Sequence, residues 1–152
     1  LKLVEEAGFF RRTLECAVVK LVCEKAAVKE LSDDFVLALK ANLNLQDFYL
    51  ENPAPDKLME LDNEFHHLLF SCVDKERCYR MCCDIGIHFD RIRHLALHTV
   101  KELKIVGDHH DILSAICACD ADRAYALMAA HLTRFEIDEK LIKNKYPEYF
   151  VN

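Results

Sequence analysis

Glycine and proline are scarce, with 3 of each in 152 residues. An all-β chain uses both types at its many turns, so this scarcity argues against one. Basic runs are missing as well. The formal charge is -6, and no basic cluster exceeds the Arg11-Arg12 pair, so this stretch is a poor grip for a phosphate backbone. No apolar run approaches the roughly 18 residues that suggest a membrane span, and no signal peptide is visible. Internal repeats and low-complexity segments are absent. What the chain has in quantity is apolar side chain. Hydrophobic residues make up 52% of a length that suits one domain and one core but hardly two. The first residue is Leu rather than Met, so the sequence reads as a fragment or trimmed product with something N-terminal missing.

Cysteine is the exception to this scarcity: Cys16, Cys23, Cys72, Cys78, Cys82, Cys83, Cys117 and Cys119. An even count invites a disulfide scaffold, but such scaffolds are small and loop-rich, whereas these residues fall in helical patterns. The expectation is reduced, core-filling thiols in a cytoplasmic protein. Cys78, Cys82 and Cys83 cluster on one turn, yet no CxxC pair supports a soft-metal site there.

Apolar periodicity predicts helices throughout. The first spans about Val4 to Ala27, burying Phe9, Leu14, Ala17, Val18, Leu21 and Val22. The second runs from about Ser32, an N-cap followed by Asp33 and Asp34, to about Asn44. LQDFYLENPAPD, with Pro53 and Pro55, reads as the clearest break. The third helix starts near Pro55 or Asp56 and ends around Cys72. A long fourth stretch covers about Lys75 to Lys104 and contains Gly86, which marks a bend, a close approach by a ligand, or a break between two helices. A short helix starts at Gly107-Asp108, and Asp120 caps the last, where Ala124, Leu127, Met128, His131 and Phe135 recur on one face. The expected fold is all-α, an antiparallel bundle of six or seven helices in one domain.

Four polar residues sit on the inward faces of these helices. Asp62 and His66 are four apart and share one helical face. His109 and His131 each take a slot in an apolar stripe where Leu would be ordinary. Burying four such groups is costly unless they converge. Three imidazoles and a carboxylate make a divalent-metal site, suited foremost to Zn and also to Ni, Fe or Mn. A single histidine on an apolar face is more often a hydrogen-bonded core residue, so the convergence carries the reading. His67 and His110 neighbour these positions but point elsewhere on their helices. His94 and His98 have i, i+4 spacing with nothing else converging on them, and His88 stands apart.

The same residues fall into motifs. Asp62, Phe65 and His66 form D-x-x-F-H. Asp108, His109, Ile112, Leu113, Ala115 and Ile116 form an acidic residue followed by H-x-x-I-L-x-A-I. Asp120, Ala124, Met128, His131 and Leu132 form D-x-x-x-A-x-x-x-M-x-x-H-L. Arg11, Leu14 and Glu15 give R-x-x-L-E in the first helix, and Arg91 and Arg93 give R-x-R in the long one. In this order the set resembles the FCD domain, the C-terminal effector-binding domain of the FadR subfamily of GntR-type transcriptional regulators, over about Phe9 to Phe135. Two departures stand out: Asp108 replaces the more usual Glu, and the Asn common at the third-to-fourth helix junction is not obvious around Asp74.

The resemblance implies a helical bundle around a central cavity and metal ligation by Asp62, His66, His109 and His131. It also implies a homodimer, and operator DNA bound only through a winged-helix domain absent from this chain. Arg11, Arg91 and Arg93 are the candidate effector-binding residues, because a guanidinium offers a carboxylate a two-pronged contact. Arg91 and Arg93 point about 160° apart on a helix, so only one faces inward. The reading that results is a sensor of a small organic acid, cytoplasmic and without enzymatic activity. A metalloenzyme remains an alternative, although no general base or nucleophile motif accompanies the ligands. So does a purely structural metal module.

Overall fold

The computed structural model describes residues 2–99 and 104–145, with side chains at 5–87, 90, 93, 94 and 104–134. Six helices account for nearly all of it: α1 (Lys2–Ala27), α2 (Asp33–Glu51), α3 (Pro55–Cys72), α4 (Glu76–Thr99), α5 (Ile105–Cys117) and α6 (Ala121–Lys145). Ser32 caps α2 by accepting from the Phe35 amide at 3.1 Å. Asp120 does the same for α6 through the Arg123 amide at 3.0 Å. Pro55 opens α3, where a missing amide proton costs nothing.

Three helices end without glycine. Lys29, Asp74 and Cys119 adopt left-handed backbone conformations, with φ near 59°, 57° and 56°, just past α1, α3 and α5. In each case the next amide reaches back to a carbonyl five residues earlier: Glu30 to Lys25 at 2.8 Å, Lys75 to Phe70 at 2.9 Å and Asp120 to Ala115 at 2.9 Å. These are Schellman closures. After α3 and α5 they reverse the chain within three residues, so α4 packs back on α3 and α6 on α5. His67 faces Glu76 across α3 and α4, and His109 faces His131 across α5 and α6.

The core runs along the bundle axis. Val19, Val22 and Cys23 of α1 meet Leu39 and Leu43 of α2, Phe65, Leu69 and Phe70 of α3, Ile112 and Ile116 of α5, and Met128 of α6. A smaller cluster of Leu58 and Val106, packed with Tyr49 and Ile105, seals one end. α1 is the central stave and touches α3, α4, α5 and α6.

Several sequence boundaries shift. α2 does not stop near Asn44. It continues to Glu51, and the break shrinks to Asn52–Ala54. The inward series Leu39, Asn42, Leu43 and Gln46 carries the helical period through, and proline acts only where its ring meets the chain. α4 runs uninterrupted through Gly86, so that glycine is not a break between helices. α4 is described to Thr99 and residues 100–103 lie outside the described residues; Lys104, where its end was expected, instead stands as the cap of α5. α5 starts at Ile105, two residues before Gly107. All eight cysteines are unbridged, but only Cys16, Cys23 and Cys82 are buried. Cys83, Cys117 and Cys119 are exposed, so core filling accounts for part of the set only.

Candidate metal centre and adjoining cavity

α3 brings Asp62 and His66 to one face, α5 brings His109, and α6 brings His131. All four are buried, and their ligating atoms lie within 4.8 Å of one another. His131 Nε2 is 3.2 Å from both His66 Nε2 and His109 Nε2. Asp62 Oδ1 is 3.4 Å from His109 Nε2 and 3.9 Å from His66 Nε2. Atoms about 2.1 Å from a cation and 90–110° apart lie roughly 3.0–3.4 Å from one another, which fits most of these spacings. Among the described residues this is the one group of three or more His, Cys, Asp or Glu side chains so arranged. The Cys78, Cys82 and Cys83 turn does not form another.

Each ring nitrogen on the far side faces a side-chain oxygen. His66 Nδ1 contacts Glu15 Oε2, and Arg11 Nε holds the other oxygen of Glu15. His131 Nδ1 lies 3.3 Å from Asp108 Oδ2, and Arg134 grips both Asp108 oxygens at 2.7 and 2.6 Å. His109 Nδ1 lies 2.9 Å from Gln46 Oε1. Donating Nδ1–H outward leaves each Nε2 lone pair facing the others. Three lone pairs at such distances have no donor among them, and a cation satisfies all three together. Phe65 stacks on His109 with ring centroids 4.1 Å apart and fixes the ring plane.

Burial keeps the rings neutral. It lowers the pKa of His66, against the opposing pull of Glu15, and pushes His109 well down, helped by His131 and His66. His131 falls to about 4, again through burial, with the Asp108 hydrogen bond opposing. Burial alone would raise the Glu15 pKa, but Arg11 and His66 outweigh it and hold the carboxyl below its usual range. Neutral imidazoles and ionised carboxylates are the states that bind metal.

Beside His66 lies a cavity of about 60 Å³ between α1, α3 and α4. Arg11, Glu15, Asn63, Asp90 and Arg93 supply its polar wall, and Gly86 is part of its lining. The added Cβ of an alanine at Gly86 would meet nothing within 4 Å. Arg93 pairs with Asp62 Oδ2 and, at 2.7 Å, with Asp90 Oδ1. It therefore joins the cavity to Asp62 of the candidate metal centre. The side chain of Arg91 lies outside the described residues, as do those of His88 and His98. His67, His94 and His110 are exposed and paired with Glu76, Asp56 and Asp47 at 2.8, 2.8 and 3.0 Å. None of these three enters the centre.

Sequence reasoning singled out Glu15 and Asp108 only as motif members and missed Asn42 and Gln46 entirely. The signal for both amides was present, since they share the inward period of Leu39 and Leu43. Polar residues in those slots are the same kind of anomaly that identified the histidines.

The fold is an all-α domain of six helices with a buried cluster of three histidines and an aspartate that could hold a metal, beside a polar cavity. Residues 6–134 match the FCD domain model, and the chain belongs to that family. It is similar to the HTH-type transcriptional repressor RspR of Escherichia coli (strain K12), with 26% identity over 148 residues, covering 97% of this chain and 63% of that protein. The uncharacterized HTH-type transcriptional regulator YdfH of Shigella flexneri matches at the same identity and coverage. The chain thus spans 63% of the length of these curated relatives. No helix among the described residues is long and apolar enough to cross a membrane.

Proposed function

We propose that the chain is a single effector-binding and dimerisation domain of a GntR-type regulator of the FadR subfamily, and that it is not an enzyme. In this reading Asp62, His66, His109 and His131 hold a divalent metal, Zn foremost, with Ni, Fe or Mn as alternatives. A small organic acid then binds in the cavity against the metal, Arg11 and Arg93. The carrying observation is the inward convergence of three Nε2 atoms whose opposite nitrogens all face acceptors. When bound, the metal supplies a Lewis-acidic contact for a carboxylate oxygen.

Charge supports an acidic ligand. Four carboxylates (Asp62, Glu15, Asp90 and Asp108) face three guanidiniums (Arg11, Arg93 and Arg134). A divalent cation turns that single negative excess into a single positive one. The names of the relatives favour a regulator over a metalloenzyme. Operator DNA would be bound by another part of the longer, cytoplasmic protein. Phe9 on α1, expected in the core but 65% exposed, and exposed Met81 and Ile85 on α4 offer apolar area for a two-fold partner. Sedimentation as a monomer at tens of micromolar, on the order of assay concentrations, would remove the dimer from the reading.

Elemental analysis of purified protein tests the centre. About one divalent metal per chain is expected, and His66→Ala or His109→Ala should lower occupancy sharply. Full occupancy in both variants refutes the ligand assignment. Retained metal with no response to any small acid would leave only a structural role.

A further inference from the structure

The three histidines do not face the same kind of acceptor. His66 and His131 face carboxylates, which accept only, so their protons sit on Nδ1. His109 faces Gln46, whose amide presents either an oxygen or an NH2 group depending on its rotation. The rotation is decided one residue further on. Asn42 Nδ2 lies 3.0 Å from Leu61 O and 2.9 Å from Glu64 Oε2, and both of these are acceptors. The NH2 group of Asn42 must therefore be on that side, which turns its Oδ1 towards Gln46 Nε2 at 2.6 Å. Gln46 donates there, and its oxygen is left to accept from His109 Nδ1 at 2.9 Å. Rotated the other way, Gln46 would set two carbonyl oxygens 2.6 Å apart with no proton between them.

We propose that Asn42 and Gln46 form a one-way amide relay that fixes the Nδ1–H tautomer of His109 and so aims its Nε2 lone pair into the metal centre. The inference rests on the metal reading above and adds two positioning residues to it. α2 brings no ligand of its own, and the relay is its contribution to the centre. It also closes on the peptide oxygen of Leu61, next to Asp62, so ligands on α3 and α5 share one anchor. Both amides are buried, at 3% exposure for Asn42 and 0% for Gln46. Such groups are costly inside a core unless their hydrogen bonds are made, and the relay makes them in one consistent direction. Both amides and the Leu61 oxygen are uncharged, unlike the carboxylates behind His66 and His131.

Ring-nitrogen NMR of the metal-free wild-type protein tests the direction without any variant. His109 should be protonated at Nδ1, and a predominant Nε2–H form overturns the relay. Zn2+ affinity, measured by competition with a chromophoric chelator, tests the consequence. Gln46→Met keeps the shape but removes the acceptor. It should bind Zn2+ about 10–100-fold more weakly, the usual cost of losing an outer partner of a ligand histidine, and its His109 should show mixed tautomers. Gln46→Glu restores an acceptor while giving up the bond to Asn42. It should recover affinity to within a few-fold of wild type while melting at a lower temperature, as no merely structural role predicts. Wild-type affinity in Gln46→Met, or equal weakness in both variants, overturns the proposal. His66→Ala run alongside separates the failures. If that variant binds Zn2+ as tightly as wild type, the metal reading has failed, whereas the tautomer measurement still judges the relay.

Discussion

His131 ties the chemistry of one ring to the stability of the whole chain. Its pKa falls from the ordinary imidazole value to about 4 on burial, and those of His66 and His109 are lowered as well. Between the folded value and about 6.5 the unfolded chain binds more protons than the folded one, so stability rises with pH across that window. The metal-free protein should therefore lose stability as pH drops below about 6.5, by up to roughly 1.4 kcal/mol per pH unit for each such ring. Below pH ~4.5 the depressed Glu15 carboxyl adds a loss of the same sign. Urea melts of chelator-treated protein at pH 7.5 and 5.5 measure this. Unchanged or greater stability at the lower pH would mean that these rings are not buried neutral. The four inward polar residues were legible in sequence because His109 and His131 break apolar stripes and Asp62 and His66 share one helical face. Their outer partners were harder to see, because Glu15 and Asp108 on a helix look like ordinary solvated acids until the neighbouring helix is in place.

At the level of helices, the ends near Ala27 and Cys72 and the cap at Asp120 were legible in sequence. The structure adds how the chain reverses there: Lys29, Asp74 and Cys119 take a conformation that costs a non-glycine residue about 1 kcal/mol or more. Asp74 stands at the junction where an Asn was sought, and like Asn it enters this conformation more readily than most residues. The early end given to α2 followed from weighing Pro53 above the unbroken period of Leu39, Leu43 and Gln46. Gly86 is the converse case, a glycine inside a helix that neither ends nor breaks it. Its place in the cavity wall suggests what the missing side chain leaves room for. Gly86→Ala should stabilise α4 by up to about 1 kcal/mol, raising the melting temperature by roughly 2–4 °C in a chain of this size. The added methyl meets no atom within 4 Å, so no clash offsets the gain. The same variant should respond less to any acid that stabilises the wild type. A lower melting temperature would place Gly86 in a tighter environment than an open cavity wall.

On the scale of the whole molecule, the cavity adjoins the candidate metal centre, and α1 and α4, which line it, also carry exposed apolar side chains. Arg93 binds Asp62 on one side and Asp90 on the other, while Arg11 holds Glu15 against His66. If a carboxylate binds in the cavity as proposed, it would compete for these guanidiniums and so act on the two helices that carry Phe9, Met81 and Ile85. Such a ligand regulates only insofar as it prefers one arrangement over another. The first requirement is that it be an anion. Charge-assisted contacts in a partly dry pocket outweigh neutral hydrogen bonds, and a 2-hydroxy acid adds a second oxygen for the metal. In the metal-loaded protein, hydroxy acids should therefore stabilise more than simple monoacids, and both far more than neutral polyols of similar size. A ligand at 100 times its dissociation constant should add about 2.7 kcal/mol, read as a clear rise in melting temperature. Stripping the metal should abolish that rise, because the cavity environment then returns to a net negative charge. A thermal-shift series of lactate, acetate and glycerol, with and without chelator, checks each step. Equal stabilisation by glycerol and lactate, or a lactate shift that survives chelation, would show that the cation does not recognise the acid.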